Sequence, residues 1–234
     1  MKICVLLLSL FLVQGYVYAT QITVGPKDAD YSQIQNAIDN SSKGDLIEVQ
    51  SGHYHENVHI YQSVTLQGID SGNGQPVVDA GGSGSVISIM ANDTIVKGFN
   101  VTGSGGCGCG NAGIMVGSSN NTVRDNIIYK NKYGIYIRPG NENNTFMSND
   151  LINNSITVSE SSSNNRWNGT VEAKGLQSLL ALISGSRILG NYYSDYDEKE
   201  EGCSDANQDR ICDEPRKIGS GPDRDNYPSL TPLN

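Results

Sequence analysis

A short unit recurs along the middle of this chain. Gly113-Ile114-Met115-Val116 returns 21 residues later as Gly134-Ile135-Tyr136-Ile137, and after another 21 as Ser155-Ile156-Thr157-Val158. Asn121-Thr122-Val123, Asn144-Thr145-Phe146 and Asn165-Arg166-Trp167 alternate with these at spacings of 23 and 21. Two short apolar strands per unit cannot bury their own hydrophobic face, so neighbouring units must stack. The chain is thereby restricted to an all-β solenoid. Strands of adjacent coils lie ~4.8 Å apart, so six to eight coils give a rod roughly 30–40 Å long.

Earlier strands fit the same scheme. Val64 to Gly68, Thr94 to Gly98, Thr122 to Asn126 and Thr145 to Asn149 each end in Gly or Asn at the fifth position. Those residues best tolerate a left-handed backbone, which predicts one shared turn per coil at Gly68, Gly98, Asn126 and Asn149. Stacked asparagines also permit side-chain amide ladders along the axis. Between Tyr31 and Asn40, the residues Tyr31, Ile34, Ala37 and Ile38 fall on one helical face. A short helix there can cover the open first coil, whose unpaired edges invite aggregation. The repeat decays after Trp167, and Val171 to Leu189 reads equally as a last coil or a capping helix.

Lys2, the apolar run Ile3 to Val13 and the Val17-Tyr18-Ala19 site form a secretory signal peptide, cut before Thr20. The run is too short to span a bilayer, and no membrane span is expected in the mature chain. The chain thus divides into a signal at 1–19, a parallel β-helix at 20–190 and an acidic, irregular C-terminal cap at 191–234. Formal charge is −9 overall. This balance excludes a nucleic-acid or anionic-bilayer footprint and suits divalent cations instead.

Four cysteines remain after the signal, in two local pairs, Cys107/Cys109 and Cys203/Cys212. In an exported chain these predict two local disulfide clips.

Many segments are similar to one known family. Ile22-Thr23-Val24, Gly44 to Val49, Gly52-His53-Tyr54-His55-Glu56-Asn57-Val58 and Val64 to Gly68 carry the resemblance at the start. The NNT and GI repeats carry it in the middle, and Gly190 to Tyr196 with Asp225-Asn226-Tyr227-Pro228 at the end. Together they resemble the NosD-like family of right-handed, single-stranded parallel β-helix proteins, on a pectin-lyase-like superfold common among archaeal surface proteins. The resemblance implies an exported location. The family takes its name from a periplasmic accessory protein for nitrous-oxide reductase maturation, often labelled copper-binding. Its superfold also carries polysaccharide lyases, hydrolases, esterases and epimerases, so fold alone does not assign an activity.

The sharpest site is the acidic loop. Asp205, Asn207, Asp209 and Asp213, with the Ile211 carbonyl, alternate as the oxygen ligands of a Ca2+-wrapping turn do. Arg210 replaces the glycine of an EF-hand and Arg216 its bidentate acid, so the missing ligand has to come from elsewhere, for instance Glu214, Asp195 or Asp223. Cys203 and Cys212 bracket it, and a disulfide there would preorganise the loop. The alternative is a solvated acidic turn. Cys107-Gly108-Cys109 lies in a Gly-rich insertion and reads as a local disulfide, two free thiols or a thiolate pair for Cu(I). His53, His55 and His59 are the only histidines. His53 and His55 share a strand face and can ligate Cu(II) or Zn2+, although family members usually carry Thr or Val at 53 and 59. An exposed histidine edge is the plainer account.

For catalysis, Arg124, Asp125 and Asp150 are the candidates, with Arg138 beside them, since adjacent coils bring their segments together. None forms a recognisable motif. The Asn-x-Ser/Thr sequons at Asn40, Asn92, Asn100, Asn120, Asn143, Asn153 and Asn168 are candidate glycosylation sites. The leading expectation is a non-catalytic surface β-helix binding envelope glycan or protein, with Tyr129, Tyr133 and Tyr136 as sugar-stacking platforms and a Ca2+-stabilised cap. A polysaccharide-acting enzyme is second. A copper-binding accessory protein using Cys107, Cys109 and the histidines is third. Open coil ends also allow end-to-end self-association.

Overall fold

The computed structural model describes residues 19–107, 110–161, 164–171 and 187–234. Ala19 apart, the signal peptide lies outside the described residues, as do Cys109 and most of Val171 to Leu189.

Alternating burial along each short strand puts one row of apolar side chains inside, and the rows stack coil on coil. Sheet 1 contains Gln21–Val24, Leu46–Val49, Thr65–Gly68, Ile95–Lys97, Thr122–Arg124 and Thr145–Met147, in that spatial order. Sheet 2 contains His53–Tyr54, Val77–Asp79, Asn100–Thr102, Ile127–Tyr129, Asp150–Ile152 and Tyr192–Tyr193. Sheet 3 contains Val58–Ile60, Ile87–Ile89, Ala112–Val116, Tyr133–Ile137 and Ile156–Ser159. The chain visits the sheets in rotation, each pairing is parallel, and the result is a β-solenoid of about six turns. Leu66, Val96, Val123 and Phe146 form the inner row of sheet 1, closed by Trp167, whose ring stacks on Phe146 at 4.3 Å. Val78, Val101, Ile128, Leu151 and Tyr193 form that of sheet 2. Ile87, Ile114 and Ile135 sit in sheet 3. All are buried, and each such side chain is worth roughly 1.5–3 kcal/mol of burial.

Corners are built by a two-residue rule. A residue with left-handed φ comes first: Asn120, Asn143 and Asn164 between sheets 3 and 1, Asp125 and Ser148 between sheets 1 and 2, Lys130 and Asn153 between sheets 2 and 3. A ladder asparagine follows directly. Asn121, Asn144 and Asn165 form one ladder, Asn126, Asn149 and Asn191 a second, Asn131 and Asn154 a third. In every rung the amide nitrogen and the backbone N–H donate to the same oxygen of the next coil. The expected shared turn is therefore corrected by one position. Gly98 stands opposite Asp125, not Asn126, because sheet 1 pairs Ile95, not Thr94, with Thr122. A left-handed residue precedes each ladder asparagine except Asn191, which follows Gly190, and Asn126 and Asn149 serve as rungs.

A second register correction concerns Ser155 to Val158. Sheet 3 pairs Tyr133 with Ile156 and Ile135 with Val158, two residues beyond the 21-residue spacing. A shift of two leaves inward and outward faces unchanged, so the apolar pattern alone cannot detect it.

Both ends of the stack are covered. A short helix, Ile34–Asp39, buries Ile34, Ala37 and Ile38 over the first coil. Its Ile34 and Gln35 N–H groups donate to the Glu56 carboxylate, each at 2.9 Å. That supplies the acceptor which Gln33, at the N-cap, does not provide. At the far end a hairpin of Gly169–Val171 and Arg187–Leu189 leads back to Tyr192–Tyr193. Thereafter the chain folds over the last coil through the antiparallel pair Arg216–Lys217 and Arg224–Asp225.

Candidate metal centre

Among the described residues, one group of three or more His, Cys, Asp or Glu brings its ligand atoms together within 4.8 Å. It consists of His53, His55 and Asp79. The backbone explains the convergence. Tyr54 points inward and is buried, so His53 and His55 both face out, with ring centroids 4.7 Å apart. In the next coil His53 pairs with Val77 and Tyr54 with Val78, which brings Asp79 level with His55. The carboxylate is oriented by the Gly81 N–H, which donates to Asp79 Oδ1 at 2.8 Å. Gly103 closes the other side. A Cβ there would come within 2.0 Å of Asp79 Oδ1, and its φ of +79° is itself unfavourable for other residues.

Two imidazole nitrogens and one carboxylate oxygen make a donor set of borderline and hard character. It suits Cu(II) or another late divalent cation of the first transition row. Asp79 was not visible as a partner in the sequence reading. Its signal is the 24-residue step from His55, one coil length at that point. His59 belongs elsewhere. It lies on sheet 3, its backbone held by the Gln35 amide and its ring stacked on Tyr61.

Cys107 is disulfide-bonded, which removes it as a thiolate ligand; Cys109 lies outside the described residues. The Cu(I) thiolate pair is therefore not available while that bond persists.

Cys203 and Cys212 form the expected disulfide. Within the loop it closes, Asp205 accepts from the Asp209 and Arg210 N–H groups. Asp209 accepts from Ile211, and Asp213 from Ala206. Two of the residues considered for completing a cation site are engaged elsewhere. Asp195 takes both ends of the Arg216 guanidinium at 2.7 and 3.0 Å, and Arg216 lies 4.2 Å over the Tyr193 ring. Asp223 accepts from the Asn164 and Asn165 N–H groups.

The catalytic candidates are each engaged in contacts of the fold. Asp125 is a corner residue paired with Arg124. Asp150 lies on sheet 2 in register with Ile127. It is fully buried and accepts from the Leu233 and Asn234 N–H groups. Burial pushes its carboxyl above the usual range. Two other raised acids are structural. Glu160 is pushed up to about 7, first by burial, and binds the Asn165 amide and the Trp167 indole N–H. Asp225 is pushed up to about 6 by burial, and accepts from the Asn191 N–H and amide, the Tyr193 hydroxyl and the Tyr227 N–H. Each ends an asparagine ladder. The tyrosines divide between faces, Tyr129 on sheet 2, Tyr133 and Tyr136 together on sheet 3 with ring centroids 5.5 Å apart. Among the sequons, Asn40, Asn92, Asn120, Asn143 and Asn153 are exposed, and the last three are left-handed corner residues.

No helix among the described residues is long and apolar enough to cross a membrane. A family model described as periplasmic copper-binding protein (NosD) matches residues 77–198, just over half of the chain. A search of curated proteins finds no match.

Proposed function

Because the chain belongs to the NosD family, we propose that it is an exported β-helix of the cell envelope that holds a copper ion at His53, His55 and Asp79. The observation that carries this reading is the convergence of those three donors from adjacent coils. The family match begins at residue 77, so the two histidines are a property of this chain and not of the matched segment. Cu(II) is favoured over other divalent cations by the order of stabilities on nitrogen donors. When bound, the ion brings a redox-active or transferable centre to an exposed face of the solenoid. The protein's part is to hold two imidazoles and a carboxylate at one edge, with Gly81 and Gly103 fixing the carboxylate's place.

Titrating the metal-free mature protein with Cu(II), followed by calorimetry and electron paramagnetic resonance, tests the reading. One equivalent should bind with nitrogen ligation. His53→Ala plus His55→Ala should abolish that signal, and Asp79→Asn should weaken affinity at least about tenfold, the scale set by disturbing even outer-shell groups. Binding that survives loss of both histidines overturns the assignment.

A structural Ca2+ in the Cys203–Cys212 loop is the second element of the proposal. The reading rests on the alternation of Asp205, Asn207, Asp209 and Asp213 within one disulfide-closed turn, where their oxygens accept N–H groups of the turn itself and the three carboxylates do not gather within 4.8 Å as the histidine group does. A hard cation would have to draw these oxygens inward in place of the N–H groups.

A further inference from the structure

The converging donors His53, His55 and Asp79 are not held alike. His53 lies in the sheet 2 ladder, paired with Val77. Asp79 lies there too, paired with Thr102, and its carboxylate accepts the Gly81 N–H. His55 stands past the last paired residue, in the corner that joins His53–Tyr54 of sheet 2 to Val58–Ile60 of sheet 3. Its place is set by whatever fixes that corner.

Two side chains fix it, in opposite directions. Glu56 reaches back to the cap helix, where its two oxygens accept the Ile34 and Gln35 N–H groups at 2.9 Å each. The same helix grips the chain beyond the corner, since the Gln35 amide accepts the His59 N–H and donates to the His59 carbonyl. Asn57 reaches forward, its amide nitrogen donating to the Ser83 and Ser85 carbonyls at 2.7 Å each. Those serines follow Gly81, the residue that orients Asp79. Gly84 between them has φ +67°, and a Cβ there would lie 3.0 Å from the Asn57 amide nitrogen. Glu56 itself is not among the converging donors, because its carboxylate is committed to the helix.

We infer that Glu56 and Asn57 are positioning residues of the metal centre, clamping the His55 corner between the cap helix and the coil that carries Asp79. The inference rests on the copper reading above. Groups that orient metal ligands without touching the ion govern affinity by about 10- to 100-fold. A donor left free to move must be ordered when the ion binds, and that cost falls on affinity.

Cu(II) alone, titrated by calorimetry into mature protein treated with EDTA and dialysed, tests it. Melting curves establish that each variant is folded at the assay temperature. Glu56→Ala and Asn57→Ala should each raise Kd about tenfold. Their electron paramagnetic resonance at saturation should keep nitrogen ligation and broaden. Glu56→Gln retains an acceptor oxygen and should recover part of the loss. Asn149→Ala, in a ladder on a distant coil, should lower the melting midpoint and leave Kd unchanged. Unchanged Kd in both alanine variants, or an equal rise in Asn149→Ala, overturns this inference and leaves the copper reading standing. Wild-type protein that takes up no Cu(II), or binding that survives loss of both histidines, overturns the copper reading and this inference together.

Discussion

Asp225 shows how much one buried carboxylate can organise. It receives the last rung of an asparagine ladder, a tyrosine hydroxyl and a backbone N–H, all at full burial. Asp225→Ala leaves the Asn191 and Tyr227 N–H groups and the Tyr193 hydroxyl without an acceptor, while the Asn191 amide keeps the Phe146 and Trp167 carbonyls, and should cost about 3 kcal/mol or more, read from thermal or urea unfolding. Asp225→Asn keeps an acceptor oxygen and should cost less. The same burial gives stability a pH dependence. Asp225 and Glu160 have folded pKa values raised to about 6 and about 7, from ordinary values of 3.8 and 4.5. Both therefore hold a proton more tightly in the folded state. Their contribution is complete below the unfolded values and is lost as pH rises through 6 and then 7. Exposed Asp70, held low by the Gly72 and Gly74 N–H groups, acts in the opposite sense, its share vanishing as pH falls below the usual carboxylate range. Melting midpoints should accordingly peak in mild acid and decline toward pH 8, and Glu160→Gln should flatten the part of that decline near pH 7. A midpoint that climbs steadily from pH 5 to pH 8 would refute this account. None of it was legible from the sequence, because Asn191 and Asp225 are 34 residues apart and no repeat connects them.

At the level of the corner, the sequence was legible in kind and inexact in register. The NNT spacings of 23 and 21 land on the ladder Asn121, Asn144 and Asn165, which the hydrogen bonds trace rung by rung. What composition could not separate is the work of two adjacent asparagines. The first adopts left-handed φ and faces water; the second is buried and continues the ladder. Both demands select the same residue type, so a one-residue slip leaves the pattern intact. The distinction can be measured. Asn149 accepts two hydrogen bonds from Asn126 and donates to Asn191 and the Val123 carbonyl, so Asn149→Ala should cost about 2–4 kcal/mol. Asn143, with φ +59° and exposed, bears only the conformational demand. Asn143→Ala should cost about 1–2 kcal/mol and Asn143→Gly almost nothing. Equal costs at the two positions would contradict the two-residue rule. The same logic explains Asp79. The His53/His55 pair is visible in any strand reading, but its third donor appears only when the length of that coil is known.

Across the whole molecule, contacts run between neighbouring coils, so stability approximates a sum of coil and interface terms. The proposed copper donors sit on the first two coils, while the disulfide-closed acidic loop follows the last sheet 2 strand. A ligand at one end stabilises the other only through the coils between them. Saturating cation should raise global stability by about 2.7 kcal/mol at a hundred times Kd, provided the stack unfolds as one unit. If it frays from its ends, protection should instead remain local. Hydrogen exchange separates these cases. Ca2+ should slow exchange around Tyr192, Tyr193 and Cys212, with the benefit fading toward coil 1, and Asp205→Ala plus Asp209→Ala should remove it. Cu(II) should protect His53 to Asp79 and fade in the opposite direction. The continuous inner rows, from Leu66 to Trp167 and from Val78 to Tyr193, argue for strong coupling. Protection should therefore extend several coils from each bound ion. Protection confined to the liganded coil would mean that the ladders and rows join neighbours only weakly, and that the two ends respond to their ligands independently.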